Sequence, residues 1–151
     1  MPSTHKFFYS PDEYECEKAS NSYLMALVVV MVGLPFPIVN LIASAIFYFG
    51  NRKSPNFVRW HCMQALLAQA FTLPVNAVGV YWTIAVVFHG ATFTNGYIAY
   101  IFTILLFNLI EFIATMYAAI QTRKGKHVVW WFFGSLTDVC VPSHQSIPAG
   151  I

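Results

Sequence analysis

Charged residues are scarce in this sequence: they make up 9% of its 151 residues, whereas a soluble domain carries about 25%. Hydrophobic residues make up 58%. A chain with so few charges cannot cover a water-facing surface, so the composition excludes an ordinary soluble domain. The lipid bilayer is the solvent that accommodates such a chain, and the length is that of one domain.

The sequence also lacks the residue sets that catalysis and metal binding need. Its cysteines, Cys16, Cys62 and Cys140, are far apart, have no metal-ligand spacing and are odd in number, which argues against a complete disulfide framework. It contains no phosphate-binding glycine loop, no His-Glu metal motif and no spacing that favours a Ser/His/Asp triad. We therefore expect no catalytic residue, no metal, no cofactor and no enzymatic activity. The net charge of +2 gives no basic footprint for nucleic acid.

Three apolar segments follow the polar start of the chain, and they predict an all-α integral membrane protein with three transmembrane helices. Each segment is long enough to cross about 30 Å of hydrocarbon. The segments cover residues 23–49, 55–88 and 97–121. The sequence is divided into a polar tail with a short amphipathic helix, a three-span membrane domain and a C-terminal tail, at residues 1–22, 23–122 and 123–151.

Prolines set the predicted helix starts and bends. Ser10 and Pro11 predict the start of the short N-terminal helix, with Ser10 as its cap. Pro35 and Pro37 predict a kink in the first span, because proline lacks the helix donor and clashes with the preceding turn. The alternative is a re-entrant hairpin that turns at these two prolines. Pro74 predicts a bend near the middle of the long second span.

Basic residues predict the orientation in the membrane. They concentrate in the loop at 50–60 and in the stretch after residue 121, whereas the turn at 90–96 carries no charge. The positive-inside rule therefore places the loop and the C-terminus in the cytoplasm. Three spans put the acidic N-terminus outside, whereas a hairpin returns it to the cytoplasm. In the tail, Trp130 and Trp131 predict an interfacial aromatic anchor.

Polar side chains within the apolar segments mark a candidate site. Glu111 is the only acidic residue in these segments, and Asn108 lies one turn away on the same helix face. Counting the same depth along the other spans reaches Asn40 in the first and Gln69 and Thr72 in the second. Two interpretations stay open. The layer is either interhelical packing, with hydrogen bonds of about 0.6 to 2 kcal/mol each, or a functional site that titrates a proton or contacts a partner or substrate.

A second candidate region lies at the start of the second span. Ser54 is the predicted cap and Pro55 the first helical residue, and Arg59, Trp60 and His61 are expected at the lipid headgroups. The stretch 51–67 resembles a signature of the bacterial Tic-twenty-like family, which comprises relatives of a chloroplast inner-envelope translocon subunit and is grouped with a bacterial three-span family of unknown function. The residues that carry the resemblance are Ser54, Pro55, Phe57, Val58, Arg59, Trp60, His61, Gln64, Ala65 and Leu66.

The resemblance implies a multi-pass protein of the bacterial inner membrane that is linked to protein translocation or assembly. We therefore expect a non-catalytic accessory or scaffold subunit of a larger membrane complex. Its expected partners are the lipid bilayer and other integral membrane proteins, a translocon among them. The alternative is a small oligomeric transporter or channel with Glu111 on its pathway. This alternative needs a homo-oligomer or a partner, because three helices enclose little room for a pore.

Overall fold

The fold consists of helices closed at one end by a small sheet. The computed structural model describes residues 3–33 and 37–142. These residues form five α-helices and one antiparallel pair of strands. In chain order the elements are β1 (Ser3–His5), α1 (Glu13–Gly33), α2 (Pro37–Gly50), α3 (Asn56–Phe88), α4 (Asn95–Arg123), β2 (His127–Val129) and α5 (Phe133–Cys140). The expected helical class is confirmed, and the division into three sequence regions stays a prediction.

The two longest helices, α3 and α4, are long and apolar enough to cross a membrane. They have 33 and 29 residues and therefore reach about 50 and 44 Å. Only 11% and 17% of their most apolar windows are buried inside the protein, whereas the core helix of a soluble domain is mostly buried. Lipid is the environment that fits this exposed apolar surface. Two crossing helices are therefore supported by the structure, and a third is not.

The first apolar segment folds as two antiparallel helices. Phe47 and Tyr48, near the end of α2, pack on the same cluster as Cys16 and Ala19, near the start of α1. The single kinked span expected over residues 23–49 therefore gives way to its alternative, the hairpin. The kink expected at Pro35 falls on residues 34–36, which lie outside the described residues. With 14 residues, α2 reaches about 21 Å and is too short to cross the hydrocarbon.

The short N-terminal helix is not a separate element, because α1 begins at Glu13 and continues to Gly33. Asp12 caps this helix in place of the predicted Ser10. The Asp12 carboxylate accepts from the backbone N–H of Glu15 at 2.7 Å, and the Glu15 carboxylate accepts from the N–H of Asp12 at 3.3 Å. This reciprocal pair is a capping box. No proline or glycine lies between Glu13 and Ser22 to end the helix there.

Strand β1, the segment from β2 to Pro142 and the loop between α2 and α3 meet at one end of the molecule, which we call the basic end. Strand β1 pairs with β2 in the register Ser3↔Val129 to His5↔His127. The Asn56 side chain donates to the carbonyl of Pro142 at 2.8 Å. The N-terminus therefore lies on the same side as the tail, and the expectation that three spans separate them was wrong. The physical reason is the hairpin, which returns the chain to its starting side.

Helices α3 and α4 meet in a turn at the opposite end, which we call the far turn and which covers residues 89–94. Gly90 has a φ of +63°, a conformation that glycine adopts without steric cost. Thr94 then caps α4, and its hydroxyl accepts from the N–H of Tyr97 at 3.2 Å. Helix α3 continues through Pro74, and the bend expected there stays a prediction.

Candidate functional site

The centre of the predicted polar layer is a contact between Glu111 on α4 and two residues of α3. Gln69 donates from Nε2 to Oε1 of Glu111 at 2.9 Å, and Thr72 donates from Oγ1 to Oε2 at 2.8 Å. Gln69 and Thr72 are one helical turn apart, so both face α4. The structure therefore brings these three residues of the predicted layer into contact.

Asn108 belongs to the same layer but pairs with a residue outside the predicted set. Its amide and that of Asn76 exchange two hydrogen bonds, of 3.0 and 2.7 Å. Asn108 also donates to the carbonyl of Ile104 at 2.8 Å. Sequence spacing is the signal for this pair. Asn76 lies one helical turn from Thr72 on α3, and Asn108 lies one helical turn from Glu111 on α4. The layer therefore spans two turns of both helices.

Asn40 is buried on α2, but no hydrogen bond connects it to Glu111. Its Oδ1 has no partner among the described residues. The depth count ignored lateral position, since α2 packs mainly against α1 and α3. Asn40 therefore lies apart from the site, although it belongs to the same segment of apolar chain.

A cavity of about 260 Å³ opens beside Glu111. The aromatic segment 130–133 covers it from the basic end. Phe71 of α3 holds this segment in place, with ring centroids 5.8 Å from Phe132 and 5.7 Å from Phe133. The lining of the cavity is mainly apolar and comes from α3, α4 and the aromatic segment. It includes Ala68, Thr72, Phe107, Ile110, Glu111, Ala114, Trp130 and Trp131. Each oxygen of Glu111 already has one hydrogen-bond partner within the protein, Gln69 or Thr72.

A second polar cluster, which we call the closing cluster, lies where the tail covers α1 and α3. Gln64 is fully buried; its Nε2 donates to the Tyr23 hydroxyl at 2.8 Å and to the carbonyl of Val128 at 3.1 Å. Its Oε1 accepts from the backbone N–H of Trp130 at 3.1 Å. Every hydrogen-bonding atom of this amide is therefore used, which ties α1 and the β2 segment to one side chain of α3.

The closing cluster continues from Tyr23 into a pair of histidines. The Tyr23 hydroxyl lies 2.8 Å from Nδ1 of His61, and Nε2 of His61 lies 3.4 Å from Nδ1 of His127. Tyr23 accepts from Gln64, and the two ring nitrogens of His61 connect the Tyr23 hydroxyl to His127. The result is a continuous chain of polar contacts from Gln64 to His127.

The region at the start of α3 forms the core of the basic end. Phe57, Val58, Trp60 and His61 are fully buried, so the last two contact protein in place of lipid headgroups, and the membrane depth expected for them stays a prediction. The sheet and α5 cover this face, and Trp60 donates from Nε1 to the carboxylate of Asp138 on α5 at 2.7 Å. Signature residue Ala65 is buried in the same core.

Three expectations for single residues at the basic end also change. Ser54 does not cap α3, because Pro55 occupies the cap position and no side chain bonds the helix end. Arg59 is half-buried, and its Nε has no partner among the described residues. Of the two predicted anchors, Trp131 is 86% exposed, as an interfacial side chain requires, whereas Trp130 packs against the protein.

A comparison with known families gives the decisive observation on identity. A model of the magnetosome magnetite crystal formation protein family matches residues 19–135. The chain belongs to this family. The match extends from α1 into α5 and contains both the polar layer and the closing cluster. No curated protein and no solved structure matches the chain.

Family membership overturns the resemblance to the Tic-twenty-like family and the functions inferred from it. That resemblance rested on residues 51–67, whereas the family match covers most of the chain. A proline at a helix start followed by arginine and aromatic residues serves the packing of any helix that emerges from a bilayer, so the pattern was too general to assign a family. A role as a translocon subunit in protein transport, or as a transporter or channel, was therefore wrong. Across the described ranges, no three His, Cys, Asp or Glu side chains are arranged to hold a metal ion.

Proposed function

We propose that the protein acts in magnetite crystal formation as a non-catalytic component embedded in the magnetosome membrane. The family match over residues 19–135 carries this proposal. The two long apolar helices support the membrane location. The polar layer supports a structural role, because Glu111 has its hydrogen bonds satisfied within the protein by Gln69 and Thr72.

Aromatic residues support a specific depth for the helices. Trp82 packs against Tyr97 and Tyr100 near the far turn, with ring centroids 5.8 and 5.7 Å apart. Trp130 is bonded to Gln64 at the other end. Along α3, the distance from Gln64 to Trp82 is about 27 Å, close to the roughly 30 Å between the aromatic belts of a bilayer. On this basis α3 and α4 cross completely.

The α1–α2 hairpin enters the same bilayer without crossing it. The Tyr23 hydroxyl bonds Gln64 and so lies at the level of one aromatic belt. From Tyr23 to the end of α1 at Gly33 the helix advances about 15 Å, which is half of the hydrocarbon thickness. The basic end then faces the cytoplasm by the positive-inside rule, and only the far turn reaches the opposite side.

This arrangement assigns the protein an organising role in the membrane and not the role of a mineral template. The far turn has no Asp or Glu, whereas carboxylates are the side chains expected to contact hard metal ions. A strain that lacks the gene should form crystals of altered size, measured by electron microscopy, and the wild-type gene should restore them. Thr92→Ala in the far turn should restore them equally well, whereas Gln64→Leu, which breaks the closing cluster, should not.

Two results would contradict the proposal. Unchanged crystal dimensions in the deletion strain would contradict the proposed role in crystal formation. Full loss of complementation by Thr92→Ala at wild-type protein level would show that the far turn itself contacts the mineral or its precursor, and the organising role would then be wrong. Protein level in isolated membranes is the control for both variants.

A further inference from the structure

A second concave surface runs between α1 and α4 at the basic end, and we call it the α1–α4 groove. Its volume is about 320 Å³. Its floor is apolar and its upper end carries two cations. The side chains that form it include Leu24, Met116, Ala119, Ile120, Arg123 and Lys124. Ser20 fixes the two helices against each other here, because its hydroxyl donates to the carbonyl of Ala119 at 2.9 Å.

The two cations differ in how far their charge is already compensated. Arg123 forms an ion pair with Glu17 at 3.4 Å, and both side chains are about half-exposed. Such an exposed pair is weak and exchanges readily with other anions. Lys124 follows directly at the end of α4, and among the residues described it has no carboxylate within ion-pair distance. The upper end of the groove therefore presents two cations, one of them paired with Glu17, beside an apolar floor.

The dimensions of the groove match the upper part of a membrane lipid. Met116 lies two helical turns below Arg123, at a depth of about 10 Å, which exceeds the roughly 5–7 Å thickness of the headgroup region of one leaflet and so reaches the acyl chains. Leu24 directly follows Tyr23, which lies at the level of the aromatic belt. Leu24, Met116 and Ile120 are 42%, 39% and 49% exposed, so an aliphatic chain has access to all three.

We propose that the α1–α4 groove binds one phospholipid that has a negatively charged headgroup. Its phosphate contacts Arg123 and Lys124, and one acyl chain lies along Leu24, Met116 and Ile120. Basic pockets between membrane helices on the cytoplasmic side bind anionic headgroups by the same physics. The inference concerns which lipid the protein binds, and its test does not depend on the role in crystal formation.

Native mass spectrometry of the whole protein in mild detergent tests the proposal, with phosphatidylglycerol and phosphatidylcholine as probes. We expect one tightly bound phosphatidylglycerol per chain and at least tenfold weaker binding of phosphatidylcholine. In Arg123→Gln/Lys124→Gln, phosphatidylglycerol should bind about twenty-five-fold more weakly, since each cation near an anionic lipid contributes a factor of about five. The matched control, Arg52→Gln/Lys53→Gln, removes the same charge elsewhere at the basic end and should bind as the wild type does.

Glu17→Gln gives a test in the opposite direction. It frees Arg123 from its ion pair and should tighten phosphatidylglycerol binding about threefold. Equal binding of the two lipids, or equal losses in the two double variants, would overturn the proposal in favour of unspecific charge attraction. Displacement of the lipid by 10 mM inorganic phosphate would also overturn it, because the site would then recognise a free anion and not a lipid.

Discussion

Gln64 is the residue whose replacement should destabilise the fold most clearly. In Gln64→Leu, the buried carbonyl of Val128 and the buried N–H of Trp130 lose their partner. Each buried polar group without a partner costs about 1–3 kcal/mol, so the two together cost about 2–6 kcal/mol. The free energy of unfolding of a whole domain is about 5–15 kcal/mol. We therefore expect the loss to be a large part of the free energy of unfolding.

The matched control for this change is Gln121→Leu on α4. The side-chain carbonyl of Gln121 is buried, and no described residue pairs with its Oε1. Replacing it removes an unsatisfied acceptor, so stability should stay the same or rise slightly. The two variants thus make the same chemical change at two sites. The side-chain carbonyl has a hydrogen-bond partner in Gln64 and none among the described residues in Gln121.

The assay is unfolding of the detergent-solubilised protein by dodecyl sulfate, followed by near-ultraviolet circular dichroism of the tryptophans. Limited trypsin cleavage after Lys126, the residue before β2, reports separately on release of the tail. We expect Gln64→Leu to unfold earlier and to be cleaved faster than the wild type. A difference of less than 1 kcal/mol between Gln64→Leu and Gln121→Leu would refute the reasoning, because hydrogen bonding in the closing cluster would then not stabilise the fold.

Three further predictions test other parts of the structure. Glu111→Gln should keep near wild-type stability, whereas Glu111→Leu should lose about 1–3 kcal/mol, because Gln69 loses its acceptor while the Thr72 hydroxyl still has the carbonyl of Ala68 at 3.0 Å; equal stability of the two variants in the same unfolding assay would contradict the packing role. A maleimide should label one thiol per native chain, counted by mass, because Cys140 is exposed whereas Cys16 and Cys62 are buried, and burial raises the pKa of the Cys16 thiol. Burial raises the pKa of Tyr9 to about 12, with a smaller contribution from the nearby Glu15 carboxylate; the usual value is near 10. The neutral form of Tyr9 therefore stabilises the fold below pH 10, and this contribution is lost between pH 10 and 12. Tyr9→Phe should flatten the profile of stability against pH in that range.

The helices and part of the site could be predicted from the sequence, because both depend on local patterns. Long apolar runs predicted α3 and α4, and a count of helical rise selected Gln69, Thr72 and Glu111, which the structure brings into contact. These inferences need only the geometry of a single helix and a shared membrane plane. Lateral position is not encoded in such a count, which is why Asn40 was grouped with residues that it does not meet.

The closing cluster could not be predicted, since it is made by contacts between distant parts of the chain. His61 and His127 are separated by 66 residues, and the strands that cover them have three residues each. Such short strands carry no periodic signal of their own. The choice between a kinked span and a hairpin had the same origin, because the contact between Phe47 and the start of α1 decides it and both readings use the same prolines.

The pairing of β1 with β2 also has a consequence for biosynthesis. The first strand leaves the ribosome long before its partner, which follows more than a hundred residues later. Until then the buried face of Trp60 and His61 has no cover, even though the helices that carry the apolar segments have already entered the bilayer. Assembly should therefore proceed in two stages: the helices enter the membrane first, and β1 pairs with β2 last. In a nascent chain stopped before His127, the residues of β1 should be exposed, whereas in the finished protein they are paired.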